Sequence, residues 1–219
     1  MLIKNLPFEA ILFVEFTDPV HRVLSLMQDA GVSHLAVQRE EKFAGIISED
    51  VLLEADEEMQ IEELKYILTN DFVKEDEHFL KAVALAADRN LSIIPVVNEE
   101  GNLTATIPSS QLLKYVADFL HLQEPGAMIV LEINPQHFSF SEISKIIESN
   151  DARVTQLNTS RNPDSGSMLV TIKINKLEIS DIVSTFQRYD YNVVYYSGEE
   201  LYTNELKSNY ENLMNYLNI

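Results

Sequence analysis

The chain has 219 residues, 46% of them apolar, enough to bury a sizeable core in one or two domains. Sixteen basic against thirty-five acidic side chains leave a formal charge of −19, which repels phosphate backbones and anionic lipid, so neither nucleic acid nor a membrane surface is an expected partner. The absence of cysteine excludes disulfides, zinc thiolate sites and thiol nucleophiles.

The N-terminus carries one cation, Lys4, and an apolar run from Ala10 to Val14 cut off by Glu9 and Glu15. That run is too short for a signal peptide or a membrane span, so a cytoplasmic location is expected. Val20 to Ala30 has the spacing of an amphipathic helix, stopped by Gly31, and Val32-Ser33-His34-Leu35-Ala36-Val37 reads as a strand. An acidic turn, Glu40-Glu41, leads to a second short strand, Gly45-Ile46-Ile47-Ser48, and a helix start at Glu49-Asp50. The same order returns 59 residues later: helix Phe79 to Arg89, strand Leu91-Ser92-Ile93-Ile94-Pro95-Val96, turn Glu99-Glu100-Gly101, strand Ala105-Thr106-Ile107-Pro108, then a helix from Gln111 to His121. An internal repeat of this kind speaks for architecture more strongly than any sum of propensities. The acidic run from Glu49 to Glu63 reads as a solvated helix face and linker between the copies, with a cation site or docking surface as the alternative. Asp76-Glu77-His78, at the start of the second copy's first helix, is read as a cap rather than an acid–base cluster.

Pro125-Gly126 breaks the helix and marks a boundary. Beyond it come the strand Met128 to Ile133, a capping box at Ser139 and Glu142 opening a helix through Ile143, Ile146 and Ile147, and a hairpin of Arg153–Thr159 and Met168–Ile174 around Asn162-Pro163-Asp164-Ser165-Gly166. The helix Glu178 to Tyr189 and the strand Asn192 to Tyr196 complete the order β-α-β-β-α-β. Leu206, Tyr210, Leu213, Met214 and Leu217 lie at helical spacing, so residues 199–219 are expected to form a docked C-terminal helix.

These segments resemble a tandem pair of CBS domains followed by an ACT-like domain, in the manner of the acetoin-utilization type of CBS-ACT regulatory protein. The resemblance rests on Val32-Ser33-His34-Leu35, Gly45-Ile46-Ile47-Ser48-Glu49, Ile147-Glu148-Ser149-Asn150-Asp151-Ala152 and Thr171-Ile172-Lys173-Ile174-Asn175. It implies an α+β fold: a CBS pair over residues 1–123, with copies of about 1–63 and 64–123, a ferredoxin-like ACT-like domain over 127–198, and the C-terminal helix. It also implies a nucleotide cleft between the copies, where a hydroxyl and backbone amides at a helix start meet phosphate and a carboxylate accepts the ribose hydroxyls. The positions that match in the first copy are Ser33, His34, Ser48 and Asp50, although Asp50 arrives one residue early, a turn of about 100° on a helix. In the second copy Ala105, Pro108 and Gln111 replace the matching residues, and Pro108 has neither hydroxyl nor backbone donor. One nucleotide per chain is therefore expected.

No cofactor or metal is expected: His21, His34, His78, His121 and His137 are scattered, and no constellation supplies nucleophile, base and oxyanion donors together. The loop Asn134 to Ser139 lacks the glycine by which ACT domains approach an amino acid, leaving Asn134, Gln136 and His137 for some other polar pocket. The expected role is non-catalytic: sensing of a small metabolite, an adenine nucleotide such as AMP, ADP or ATP, and transmission to a protein partner or dimer surface. The alternative is a non-sensing homodimeric interaction module with a vestigial cleft.

Overall fold

In the computed structural model, residues 1–7 and 11–198 are described, and they form two units that divide between Val116 and Ala117. The expected docked helix over 199–219 lies outside the described residues.

The first unit is the repeat made visible. Strand β1 (Phe13–Glu15) pairs in parallel with β2 (His34–Arg39), which pairs antiparallel with β3 (Lys42–Ser48). In the second copy β4 (Val73–Lys74), β5 (Ile93–Val97) and β6 (Leu103–Pro108) make the same three-stranded sheet with the same directions. Helix α1 (Val20–Ala30) precedes β2 and α3 (Leu80–Arg89) precedes β5. The apolar face of α1 buries Val20, Val23 and Met27, and the helix ends where Gly31 takes the left-handed conformation that an L side chain resists. Two short helices follow the second strands, α2 (Glu49–Leu53) and α4 (Ser109–Phe119). The latter starts two residues before the expected Gln111, because Pro108 needs no amide partner and the Ser109 amide is taken by the Ser92 carbonyl at 2.9 Å.

Between the copies the chain runs beside β3. The Ile46 amide donates to the Thr69 carbonyl at 2.8 Å and the Thr69 amide returns a bond at 3.1 Å. Gly45 makes this approach feasible: its φ is +147°, and a Cβ there would lie 2.8 Å from Leu68 Cβ and 2.9 Å from the Thr69 carbonyl oxygen. The acidic run resolves into local turn chemistry. Gln60 and Glu63 form a capping box, Asp56 accepts from the Glu58 amide at 2.9 Å, and most of the carboxylates are exposed. At Asp76-Glu77-His78 the His78 Nδ1 accepts from the Leu80 amide at the start of α3, and Glu77 lies 3.7 Å from Lys81 one helical turn on.

The second unit has the order β7 (Ala127–Ile133), α5 (Phe140–Glu148), β8 (Val154–Arg161), β9 (Met168–Ile174), α6 (Ser180–Arg188) and β10 (Asn192–Ser197). The sheet order is β10-β7-β9-β8, antiparallel throughout. Alternation along β7 buries Ala127, Ile129, Leu131 and Ile133 against Ile143, Ile147, Ile182 and Phe186 of the helices. Half of the expected capping box forms. The Ser139 Oγ accepts from the Glu142 amide at 3.4 Å, while burial first, then the Tyr191 hydroxyl's bond to the Glu142 carboxylate and that carboxylate's charge, push the Tyr191 phenol up to about 12. No helix among the described residues is long and apolar enough to cross a membrane.

Candidate functional site

The two serines that begin the repeated strands meet each other. The Ser33 amide donates to Ser92 Oγ at 3.0 Å, and the two carbonyls accept, at 2.9 Å each, the first amides of α2 (Glu49) and α4 (Ser109). His34 stands beside this pair. Its Nδ1 lies 3.2 Å from Ser33 Oγ, 3.2 Å from Ser92 Oγ and 3.3 Å from the Ser92 amide, which can only donate, so Nδ1 accepts and the ring proton resides on Nε2. Burial pushes His34 below the 6.5 of a free imidazole, partly opposed by the charge of Asp50.

The other side of the ring lines a cavity of about 210 Å³ formed by His34, Ile46, Ser48, Ile67, Thr69, Asp71, Arg89 and Leu91. Four separate stretches of chain supply these residues: the start of β2, the end of β3, the linker, and the end of α3 with Leu91 just beyond it. Ser48 occupies the position before α2, but its side chain accepts no amide of that helix, and the first amide, that of Glu49, goes to the Ser33 carbonyl. The hydroxyl is left to the cavity. Asp71 and Arg89 form an ion pair at 3.5 Å, the carboxylate mostly enclosed at 21% side-chain exposure and the guanidinium at 59%.

Of the four residues taken from the sequence, His34 and Ser48 line this cavity. Ser33 instead lines an open groove of about 690 Å³ together with His21, Glu49, Glu57 and Ser92. Asp50 is exposed on the first turn of α2 and reaches His34 only through its charge, the outcome of arriving one residue early. Asp71, Arg89 and Thr69 were missed by motif reading. The signal that could have found them is the repeat itself: at the 59-residue offset Asp71 aligns with Leu12, Arg89 with Ala30 and His34 with Ile93, while Ser48 pairs across the sheet with His34 as Pro108 does with Ile93. Polar residues in one copy face apolar ones in the other. Among the described residues, Leu12, Ala30, Ile93 and Pro108 give the mirror position no comparable polar set.

In the second unit Asn134 and His137 line a cavity of about 290 Å³ with Glu132, Glu142, Asp190, Tyr191 and Asn192; Gln136 is not among the lining residues. Hydroxyls of Ser167 and Ser165 and the amide of Asn162 hold the Glu132 carboxylate below the usual carboxylate range. No lysine or arginine among the described residues lines it, so the carboxylate of an amino acid would find no cation there. No group of three or more acidic or histidine side chains that could hold a metal ion occurs among the described residues.

The depressed pKa of His34 has a sign that can be measured. Below about pH 6.5 the unfolded chain takes up a proton that folded His34 refuses, so stability present above that pH is lost as the pH falls toward the folded pKa. Wild type should therefore lose more melting temperature between about pH 7 and about pH 5 than His34→Gln, measured by circular dichroism. Parallel losses would show that His34 does not titrate with folding.

No curated protein sequence matches the chain. Among solved structures it is similar to a CBS domain pair/ACT domain protein of Thermotoga maritima, at 23% identity over 55% of this chain and 99% of that one, with a TM-score of 0.49. It is also similar to the CBS domain pair of protein MJ0100 in complex with 5′-methylthioadenosine and S-adenosyl-L-methionine, at 20% identity over 54% and 97% of the two chains and a TM-score of 0.45. The cytosolic domain of the Mg²⁺ channel MgtE in complex with ATP matches at 23% identity over 48% and 44%, with a TM-score of 0.40. The family model that matches is described as CBS domain, and it covers residues 3–58, which hold β1, α1, β2, β3 and α2 of the first copy together with Ser33, His34, Ser48 and Asp50.

Proposed function

We propose that the chain is a non-catalytic regulatory protein whose first unit binds an adenine nucleotide in the cavity between β3, the linker and the end of α3. The observation that carries this reading is the lining of that cavity: apolar walls from Ile46, Ile67 and Leu91 suited to a purine face, with polar groups of His34, Ser48, Thr69, Asp71 and Arg89 converging on it. At about 210 Å³ it is smaller than the roughly 300–1,000 Å³ of sites that enclose a whole drug-sized ligand. The base and ribose would enter, and phosphate would stay at the mouth. Among the described residues the polar lining has no counterpart at the mirror position, so titration calorimetry with AMP should give one site per chain. Two equal sites, or no heat at millimolar nucleotide, would refute the reading.

A second reading, a non-sensing homodimeric module, is favoured by a different observation. Leu53 on α2 and Leu113 on α4 occupy equivalent positions 60 residues apart and are 66% and 70% exposed, while their neighbours Leu52 and Leu112 are buried. We propose that these repeated apolar faces meet a second copy of the chain; in the sensing reading, occupancy of the cavity is felt at that dimer surface or by a protein partner. Light scattering should give a dimer at micromolar concentration, and Leu53→Glu with Leu113→Glu should give a monomer with unchanged melting in dilute solution. A wild-type monomer would remove the assembly.

A further inference from the structure

The ion pair inside the cavity is where selectivity among nucleotides can arise. Arg89 is the one lysine or arginine among the described residues lining the cavity, and it already has acidic neighbours: Asp71 at 3.5 Å across the cavity and Asp88 at 3.6 Å beside it in the chain. Asp71 comes from the linker and Arg89 from the last turn of α3, so the pair is a tertiary contact, and the aligned residues of the other copy, Leu12 and Ala30, cannot form it. A guanidinium that is 59% exposed, with its two carboxylates no nearer than 3.5 Å, is held weakly and exchanges partners at little cost. A phosphate offers it a better one, because phosphate oxygens match the planar fork of the guanidinium in two parallel hydrogen bonds.

Resting on the nucleotide reading above, we propose that Arg89 is the specificity-determining residue of this cavity: it leaves Asp71 to bind the phosphate of a nucleoside monophosphate, and Asp71 competes for it. One guanidinium can satisfy one phosphoryl group. A second and third phosphate would lie beside Asp71 and Asp88 on a chain of charge −19 with no further cation in the lining, so the monophosphate is preferred over the triphosphate. Arg89 then reads the number of phosphates, while His34, Ser48 and the apolar walls read the nucleoside.

Titration calorimetry on the full chain with adenosine, AMP and ATP tests this in wild type, Arg89→Gln and Asp71→Asn. Wild type should bind AMP more tightly than adenosine or ATP. Arg89→Gln should remove that advantage, a loss of roughly 10- to 100-fold for AMP if charge-assisted hydrogen bonds are lost, with adenosine changed by less than about twofold. Asp71→Asn should raise the ratio of AMP to adenosine affinity severalfold, since it frees the guanidinium. Adenosine binding is the control for folding in each variant. If adenosine binds and the AMP-to-adenosine ratio is the same in Arg89→Gln as in wild type, Arg89 does not select phosphate. If Asp71→Asn weakens adenosine and AMP equally, Asp71 holds the nucleoside and does not compete for Arg89. No binding of adenosine or AMP to wild type would overturn the nucleotide reading and this assignment with it.

Discussion

Gly45→Ala should lower the stability of the first unit by about 2–6 kcal/mol and weaken nucleotide binding beyond what the loss of stability explains. Two costs add. The new Cβ would stand 2.8 Å from Leu68 Cβ and 2.9 Å from the Thr69 carbonyl oxygen, distances that force one segment to move, and overpacking of this kind costs roughly 1–3 kcal/mol. The φ of +147° is strained for any L side chain, which adds about 1–3 kcal/mol. The segment that must move is also the cavity wall: Ile67 and Thr69 flank Leu68, and Thr69 is tied to Ile46 by two backbone hydrogen bonds. A melting temperature lower by roughly 5–15 °C is expected for a chain of this size. A change under about 2 °C, within the effect of a fraction of a kcal/mol, would mean that the linker yields freely and that the close approach is not required.

Phe186→Ala should destabilise the second unit by about 3–5 kcal/mol, the range for deleting a large buried aromatic and leaving a cavity. Phe186 is fully buried among Ile143, Ile147, Ile182 and the inward residues of β7 and β9, and its ring meets Tyr191 edge-on at 5.5 Å between centroids. That contact supports the hydroxyl that Tyr191 offers to Glu142, so the cost extends to the rim of the second unit's cavity. Because a domain holds only about 5–15 kcal/mol of net stability, calorimetry should show a separate early transition for this unit with the first unit's transition unmoved. A single transition shifted as a whole would show that the two units unfold together.

The order of elements was legible because it is written locally. Helical spacing in Val20–Ala30, the glycine stop at Gly31, alternation along β7 and the turn residues Asn162 to Gly166 each act over a few positions, and the 59-residue repeat says the first of these messages twice. The repeat also exposed the asymmetry, since Pro108 and Ile93 stand where Ser48 and His34 do. Some local signals were incomplete. Ser139 and Glu142 have the spacing of a reciprocal cap, but only the Ser139 half forms, and the Glu142 carboxylate instead meets the phenol of Tyr191, 49 positions further on in the chain.

The membership of the cavity was decided by tertiary structure. Ser33 and His34 are adjacent in sequence and their side chains meet at 3.2 Å, yet Ser33 lines the groove and His34 the cavity. Asp71 and Arg89 lie in no motif with Ser48; they meet it because the backbone of Thr69 pairs with Ile46 and the end of α3 packs close by. Such a pairing depends on a glycine having no side chain at one point of close approach. Sequence spacing therefore fixes which residues can be helix, strand or turn, whereas the company each side chain keeps depends on which distant backbone segments pair, and only the folded chain brings them together.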